Sequence, residues 1–252
     1  MSGKHNESGG DLAPDRAARF GWAPGDLEFL TPDEVEQLLR PRWLLVQRAV
    51  ELSATEMAQQ SNARASPLVE RDLEVCFAAA LKQAGDEANA DVRVSPQRSV
   101  QLHEWPRVGR CDLHVDVRAD EDWDALFELK WGADTLYNCV WDLAKTACAV
   151  AAGESARGYL VAGAPETDWT APVSGAEIFA SSSRRAATLF EQYPKLWAKW
   201  ANDVKTRPVQ LPSWIVTRVV AAVPLLVLNN SWQLRCVEVT AIPDWWDVPP
   251  YA

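Results

Sequence analysis

The chain predicts an α/β fold: a helix, three strands, a second helix and a buried fourth strand, giving a mixed central sheet flanked by helices. Three observations carry this reading. Leu73, Cys76, Phe77, Ala80 and Leu81 recur at helical spacing and form one apolar face. Val92–Leu102, Cys111–Val117 and Trp123–Trp131 are three strand-like runs, the last two separated by the polar turn Ala119-Asp120-Glu121-Asp122. Ala133–Ala152 then has helical periodicity through Leu136, Val140, Leu143, Ala144 and Ala147. The short apolar run Tyr159–Gly163 follows, suited to a strand covered on both faces.

The elements around this core can be justified in order. Residues 1–25 mix Gly, Pro, Asp and Asn without periodicity, and read as a mobile tail. Residues 26–65 form an N-terminal helical segment. Thr31-Pro32-Asp33-Glu34 has the cap, first-turn proline and acids of a helix start. Pro41 is expected to break that helix, with a second helix from about Arg42 to Gln60. Ser66-Pro67 opens the core, which spans 66–163, and Gly85 marks the end of its first helix. Residues 164–252 are an extension packed on the same domain. It comprises a strand at Ala176–Ala180, an amphipathic helix over Ala186–Val204 broken near Pro194, and a hairpin of Trp214–Leu228 and Trp232–Ile242 turning at Asn229-Asn230-Ser231.

Composition narrows the function classes. With 252 residues, 48% of them hydrophobic, the chain builds one sizeable core. The five cysteines are scattered without a CxxC spacing, which argues against a zinc knuckle or a disulfide framework and for buried thiols in a reducing compartment. No apolar run is long enough for a membrane span, and Met1–Gly10 lacks signal-peptide character, so the expectation is a cytoplasmic protein with no membrane contact. A serine hydrolase is disfavoured at Ser181-Ser182-Ser183, which has no elbow glycines, and no Gly-rich phosphate loop is present. The formal net charge of -10 weighs against duplex binding. Local charge runs the other way at Arg98, Arg107 and Arg110, and at Arg184, Arg185, Lys195, Lys199, Lys205 and Arg207.

Chemistry concentrates at Phe127-Glu128-Leu129-Lys130-Trp131. Alternation along a strand puts Glu128 and Lys130 on one face. A hairpin joining this run to Cys111–Val117 brings Asp112 beside Glu128. Two carboxylates and a lysine at one point can hold a divalent cation and a nucleophilic water, the requirement for phosphodiester hydrolysis. Magnesium or manganese, which take oxygen ligands, fit Asp112 and Glu128, with the Leu129 carbonyl as a further oxygen. Lys130 would orient the water or stabilise charge on the phosphate.

Gly109-Arg110-Cys111-Asp112-Leu113 and Phe127-Glu128-Leu129-Lys130-Trp131, with the α-β-β-β-α-β order over 66–163, resemble the PD-(D/E)xK nuclease superfamily. The residue before Asp112 is cysteine where the literal motif has proline. The resemblance implies a restriction-endonuclease-like core and a metal-dependent nuclease, an endonuclease rather than an exonuclease, with DNA as substrate. It implies Glu70, Asp112, Glu128 and Lys130 as catalytic residues, Asp112 and Glu128 as metal ligands, and Mg2+ or Mn2+ as cofactor. Glu74 is the alternative to Glu70. Tyr137, Asn138, Asp142 and Lys145 are the candidates on the following helix, where Trp141-Asp142-Leu143-Ala144-Lys145 resembles a recurrent Asp-Leu-x-Lys pattern. Arg110, Lys145, Arg184 and Arg185 are candidates for nucleic-acid contact.

Each of these residues also has a plainer reading. Glu128 and Lys130 can be an ion pair on a solvated strand face, and Glu70 a favourable charge at a helix N-terminus. Asp142 and Lys145 read more readily as a helix-surface pair at three-residue spacing. His114 and Asp116 share the Asp112 face, but no second histidine stands at metal spacing. The thirteen tryptophans are read mainly as packing, with Trp245-Trp246 as a cover for the sheet or a contact to a protein partner or second copy. The competing function is a non-catalytic interaction module, regulatory or immunity-like, whose acidic surface meets a basic partner.

Overall fold

The computed structural model describes residues 32–97, 110–120, 122–153, 155, 157–172, 174–195 and 212–242. The expectations for residues 1–25, for Arg98, Arg107, Lys199, Lys205 and Arg207 and for Trp245-Trp246 lie outside the described residues. The chain divides into two compact units, Met1–Leu39 and Arg40–Ala252. Of the first, only the opening turns of helix α1 (Pro32–Ala63) are described.

Helix α1 runs without interruption through Pro41, which corrects the expected break. Proline removes one helical donor, but the turns after it are anchored by Leu45, Val46, Ala49, Val50, Ala54 and Met57, all buried in one core. Helix α2 (Glu70–Glu87) starts later than Ser66-Pro67. Val69 has no capping oxygen of its own. The Asp72 carboxylate instead accepts the Val69 N–H at 2.9 Å and is gripped by Arg64 at 2.6 Å. Gly85 does not end this helix. A Cβ there would stand 2.3 Å from the Val92 Cγ2, so the glycine serves close packing of α2 on the first strand.

Among the described residues, seven strands make one mixed sheet, β1 (Asp91–Pro96), β2 (Leu113–Arg118), β3 (Trp123–Trp131), β4 (Arg157–Pro165), β5 (Ser182–Arg185), β6 (Trp214–Val227) and β7 (Asn230–Ile242), in the spatial order β1-β2-β3-β4-β7-β6-β5. β1, β2 and β3 form an antiparallel meander; β3 and β4 are parallel, joined through helix α3 (Leu136–Ala151). The described chain is therefore α/β, with the element order helix, three strands, helix, strand. β7 pairs antiparallel with β4, and the β6–β7 hairpin carries the sheet onward to β5. Its turn is Leu228-Asn229, both with positive φ, one residue earlier than the sequence signal.

The segment expected as a strand at Ala176–Ala180 is a 3-10 helix, Ala176–Phe179, entered from Gly175 at φ 92°. Short helices α4 (Glu166–Thr170) and α5 (Ala186–Gln192) flank it. The amphipathic helix expected over Ala186–Val204 and broken near Pro194 is interrupted at Tyr193: α5 ends at Gln192 and helical residues resume at Pro194.

Two cores lie on the sheet's two faces. Phe127, Leu129 and Trp131 belong with α1 and α2 in one. Leu126 belongs with Leu143, Ala144 and Ala147 of α3 in the other. Alternation on β3 thus assigns Glu128 and Lys130 to the α3 face. All five cysteines are free and buried. No helix among the described residues is long and apolar enough to cross a membrane.

Candidate active site

β2 and β3 are antiparallel with Leu113 opposite Phe127, so one further step places Asp112 level with Glu128. The entry of β2 and the exit of β3 therefore meet at one end of the sheet. The Asp112 carboxylate is fixed there, with Oδ2 accepting the Leu129 N–H at 2.7 Å. The Gln97 N–H bonds the Asp112 carbonyl at 2.8 Å, tying the same point to the end of β1.

Lys130 reaches into the middle of this arrangement. Its Nζ donates to the Leu129 carbonyl at 3.0 Å and to Glu70 Oε1 at 3.3 Å. It stands 3.7 Å from Asp142 Oδ2 and 3.9 Å from Asp112 Oδ2. Burial works against its charge, but Asp142, Asp112, Glu70 and Glu128 together outweigh that and hold the ammonium above its ordinary pKa. This lysine is firmly cationic.

Glu128 is almost wholly buried, and its partner is Lys145, with Nζ to Oε2 2.8 Å. Lys145 also meets Asp142 Oδ1 at 3.3 Å and the Arg110 carbonyl at 3.4 Å. The helix-surface reading of Asp142 and Lys145 is thereby corrected. Both are buried, because α3 turns this polar pair toward the sheet and presents it to the charged groups there. Burial pushes the Glu128 carboxyl well above its usual value, an effect that Lys145 opposes and Asp142 and Asp112 reinforce. Burial likewise raises Asp112, against the Leu129 N–H and the two lysines, and raises Glu70 against Lys130.

A group of three carboxylates stands at the α2 end of the site. Oxygens of Glu70, Glu74 and Asp112 lie within 4.8 Å of one another. Both helix glutamates contribute, one turn apart on α2; the sequence reading weighed them as alternatives. Glu74 is buried and paired with Arg71. Glu128 is not a member of this group. The structure thus brings Glu70, Asp112, Glu128 and Lys130 into one charged cluster, but puts Glu128 on Lys145 and Glu74 beside Asp112.

The other candidates fall elsewhere. His114 is buried between Asp116 (3.5 Å) and Asp124 (3.4 Å), farther down β2. Tyr137 packs edge-on against Tyr193, and Asn138 is exposed. Arg110 is exposed and bonds Gln97 at 3.4 Å. Arg184 and Arg185 lie on β5, four strands along the sheet from β3. Arg184 bonds the Glu177 carbonyl at 2.9 Å, and Arg185 lies over the Trp214 ring at 5.3 Å. An open groove of about 570 Å3 lined by Trp169, Ala171, Pro172, Ala176, Glu177 and Gln192 shares no residue with the cluster.

No protein-family model, curated protein or solved structure matches the chain. The site's chemistry is therefore read from its own geometry.

Proposed function

We propose that this chain is a metal-dependent nuclease of the PD-(D/E)xK type, with a restriction-endonuclease-like core, that hydrolyses phosphodiester bonds in nucleic acid, DNA foremost. The observation that carries the reading is the convergence of Glu70, Asp112, Glu128 and Asp142 on two ammonium groups, Lys130 and Lys145, at one end of the sheet, with Glu74 beside Glu70 and Asp112. Five carboxylates exceed two lysines and the Arg71 that flanks Glu74. Burial raises Glu70, Asp112 and Glu128, and the nearby lysines only partly offset it.

These residues fit a hard divalent cation such as Mg2+ or Mn2+. Three carboxylates have oxygens close enough to share one ion, and oxygen-only donor sets suit that chemistry. Glu70, Glu74 and Asp112 would hold it. When bound, such an ion neutralises charge on a scissile phosphate and makes water a better nucleophile near neutral pH. Lys130, held cationic, supplies positive charge toward the phosphate oxygens and a donor to orient the attacking water. Lys145 neutralises Glu128 from the α3 side, and Asp112, held by the Leu129 N–H, keeps a fixed orientation.

The acidic balance favours one competing reading, a non-catalytic module that meets a basic partner. It also fits a nuclease to which a partner protein or a second copy delivers the nucleic acid. The deciding experiment incubates the protein with supercoiled plasmid and with single strands, in Mg2+ or Mn2+ at low salt, beside Asp112→Ala and Lys130→Ala. Metal-dependent cleavage lost in both variants supports the nuclease. Absence of wild-type cleavage together with absence of metal binding by calorimetry removes it.

A further inference from the structure

A half-buried lysine, Lys130, and a buried one, Lys145, share one buried aspartate. Asp142 of α3 stands with Oδ2 3.7 Å from Lys130 Nζ and Oδ1 3.3 Å from Lys145 Nζ. We propose that Asp142 is the positioning residue of Lys130, fixing where its ammonium stands relative to Glu70 and Asp112; this deepens the nuclease reading and rests on it.

Lysine carries its charge on a flexible four-carbon stem, and the one hold its own strand supplies is the Leu129 carbonyl at 3.0 Å, a neutral acceptor. Three carboxylates face it, and they differ in what they can hold. Glu70 is nearest, but its side chain is 40% exposed and water screens it. Asp112 is farthest, and the same Oδ2 that faces the lysine is already committed to the Leu129 N–H. Asp142 is the least exposed of the three, at 7%, so its field acts with the least screening. It also stands on the helix whose Leu143, Ala144 and Ala147 are fully buried, a rigid mount. Its second oxygen touches Lys145, which in turn holds Glu128 and the Arg110 carbonyl, two residues before Asp112. A single aspartate thus orders both lysines.

The test has a readout that needs neither metal nor substrate. Side-chain 15N relaxation of lysine ammonium groups, with Lys130 assigned by Lys130→Arg, reports how firmly Nζ is held, and exposed Lys82 is the mobile reference. Lys130 is expected to show a clearly higher order parameter than Lys82 in the wild type and to fall toward the Lys82 value in Asp142→Asn, which keeps shape and removes charge. Leu143→Ala weakens the mount but keeps the charge, and is expected to loosen Lys130 less than Asp142→Asn does. In cleavage assays with Mn2+, Asp142→Asn is expected to lower kcat about tenfold or more while KM and Mn2+ affinity change less than about twofold.

A mobile Lys130 in the wild type overturns the proposal whatever the variants do. So does an ordered Lys130 in Asp142→Asn, equal loosening in Leu143→Ala, or unchanged kcat. If Asp142→Asn frees Lys130 but the wild type neither cleaves nucleic acid nor binds Mn2+, the hold on Lys130 stands and the nuclease reading falls.

Discussion

Lys145 holds Glu128: Nζ lies 2.8 Å from Oε2, and both side chains are buried. Neither charge has access to bulk water, so each depends on the other. Lys145→Met leaves a buried carboxylate without its partner and is expected to cost about 3–5 kcal/mol of stability. Lys145→Met combined with Glu128→Gln is expected to recover part of that loss. Urea denaturation of the single and double variants checks both.

The three-carboxylate group at α2 distinguishes Glu74 from Glu128. Calorimetry with Mn2+ is expected to show that Glu74→Gln and Asp112→Asn each weaken binding about tenfold or more, while Glu128→Gln, outside the group, weakens it less. Equal losses for Glu74 and Glu128 would place the ion nearer the strand than the helix.

Burial gives the site a pH signature. Glu70, Asp112 and Glu128 have folded pKa values above their unfolded ones, so ionisation is penalised in the folded state. Below the ordinary carboxylate range near about pH 4, both states are protonated and nothing is lost. As pH rises through that range toward the raised folded values, the unfolded chain ionises first and stability falls; it levels off above them. Thermal melts between pH 4 and 8 are expected to show this decline. Saturating Mn2+, which binds the ionised native site, is expected to reduce it.

Gly163 stands opposite Trp131 across β3 and β4, and a Cβ there would lie 2.2 Å from the indole. Trp131 is itself stacked on Trp232, with ring centroids 4.7 Å apart. Gly163→Ala is expected to displace Trp131 and cost about 1–3 kcal/mol, measurable as a lower denaturation midpoint with a change in tryptophan fluorescence.

Much of the core was legible because its signals are local. Strand β3 is bounded as its sequence reads, Trp123–Trp131, and alternation placed Glu128 and Lys130 together. The β6–β7 hairpin followed from an asparagine turn between two β-rich runs. What the sequence hid depends on partners far along the chain. Pro41 and Gly85 both read as helix stops, yet the burial of α1 and the closeness of Val92 override local propensity. The pairing of β4 with β7 joins residues about seventy positions apart, which no local pattern reports. Asp142 and Lys145 resembled a surface pair because three-residue spacing is the same whether a helix face meets water or a buried charge. For Glu74, the four-residue step from Glu70 was the available signal, since it puts both carboxylates on one side of α2.

The pairing of β4 with β7 also sets an order in time. β4 carries the parallel partner of the Glu128–Lys130 strand, and its other edge stays open until residues 230–242 have been synthesised. Leu234 and Cys236 of that last strand enter one core and Val237 and Val239 the other. A chain still on the ribosome therefore has its site residues, and the strands β2, β3 and β4 that carry and flank them, made well before the open edge of β4 is covered. What waits for the last strand is the cover over β4, not the β2–β3 register that sets Asp112 opposite Glu128.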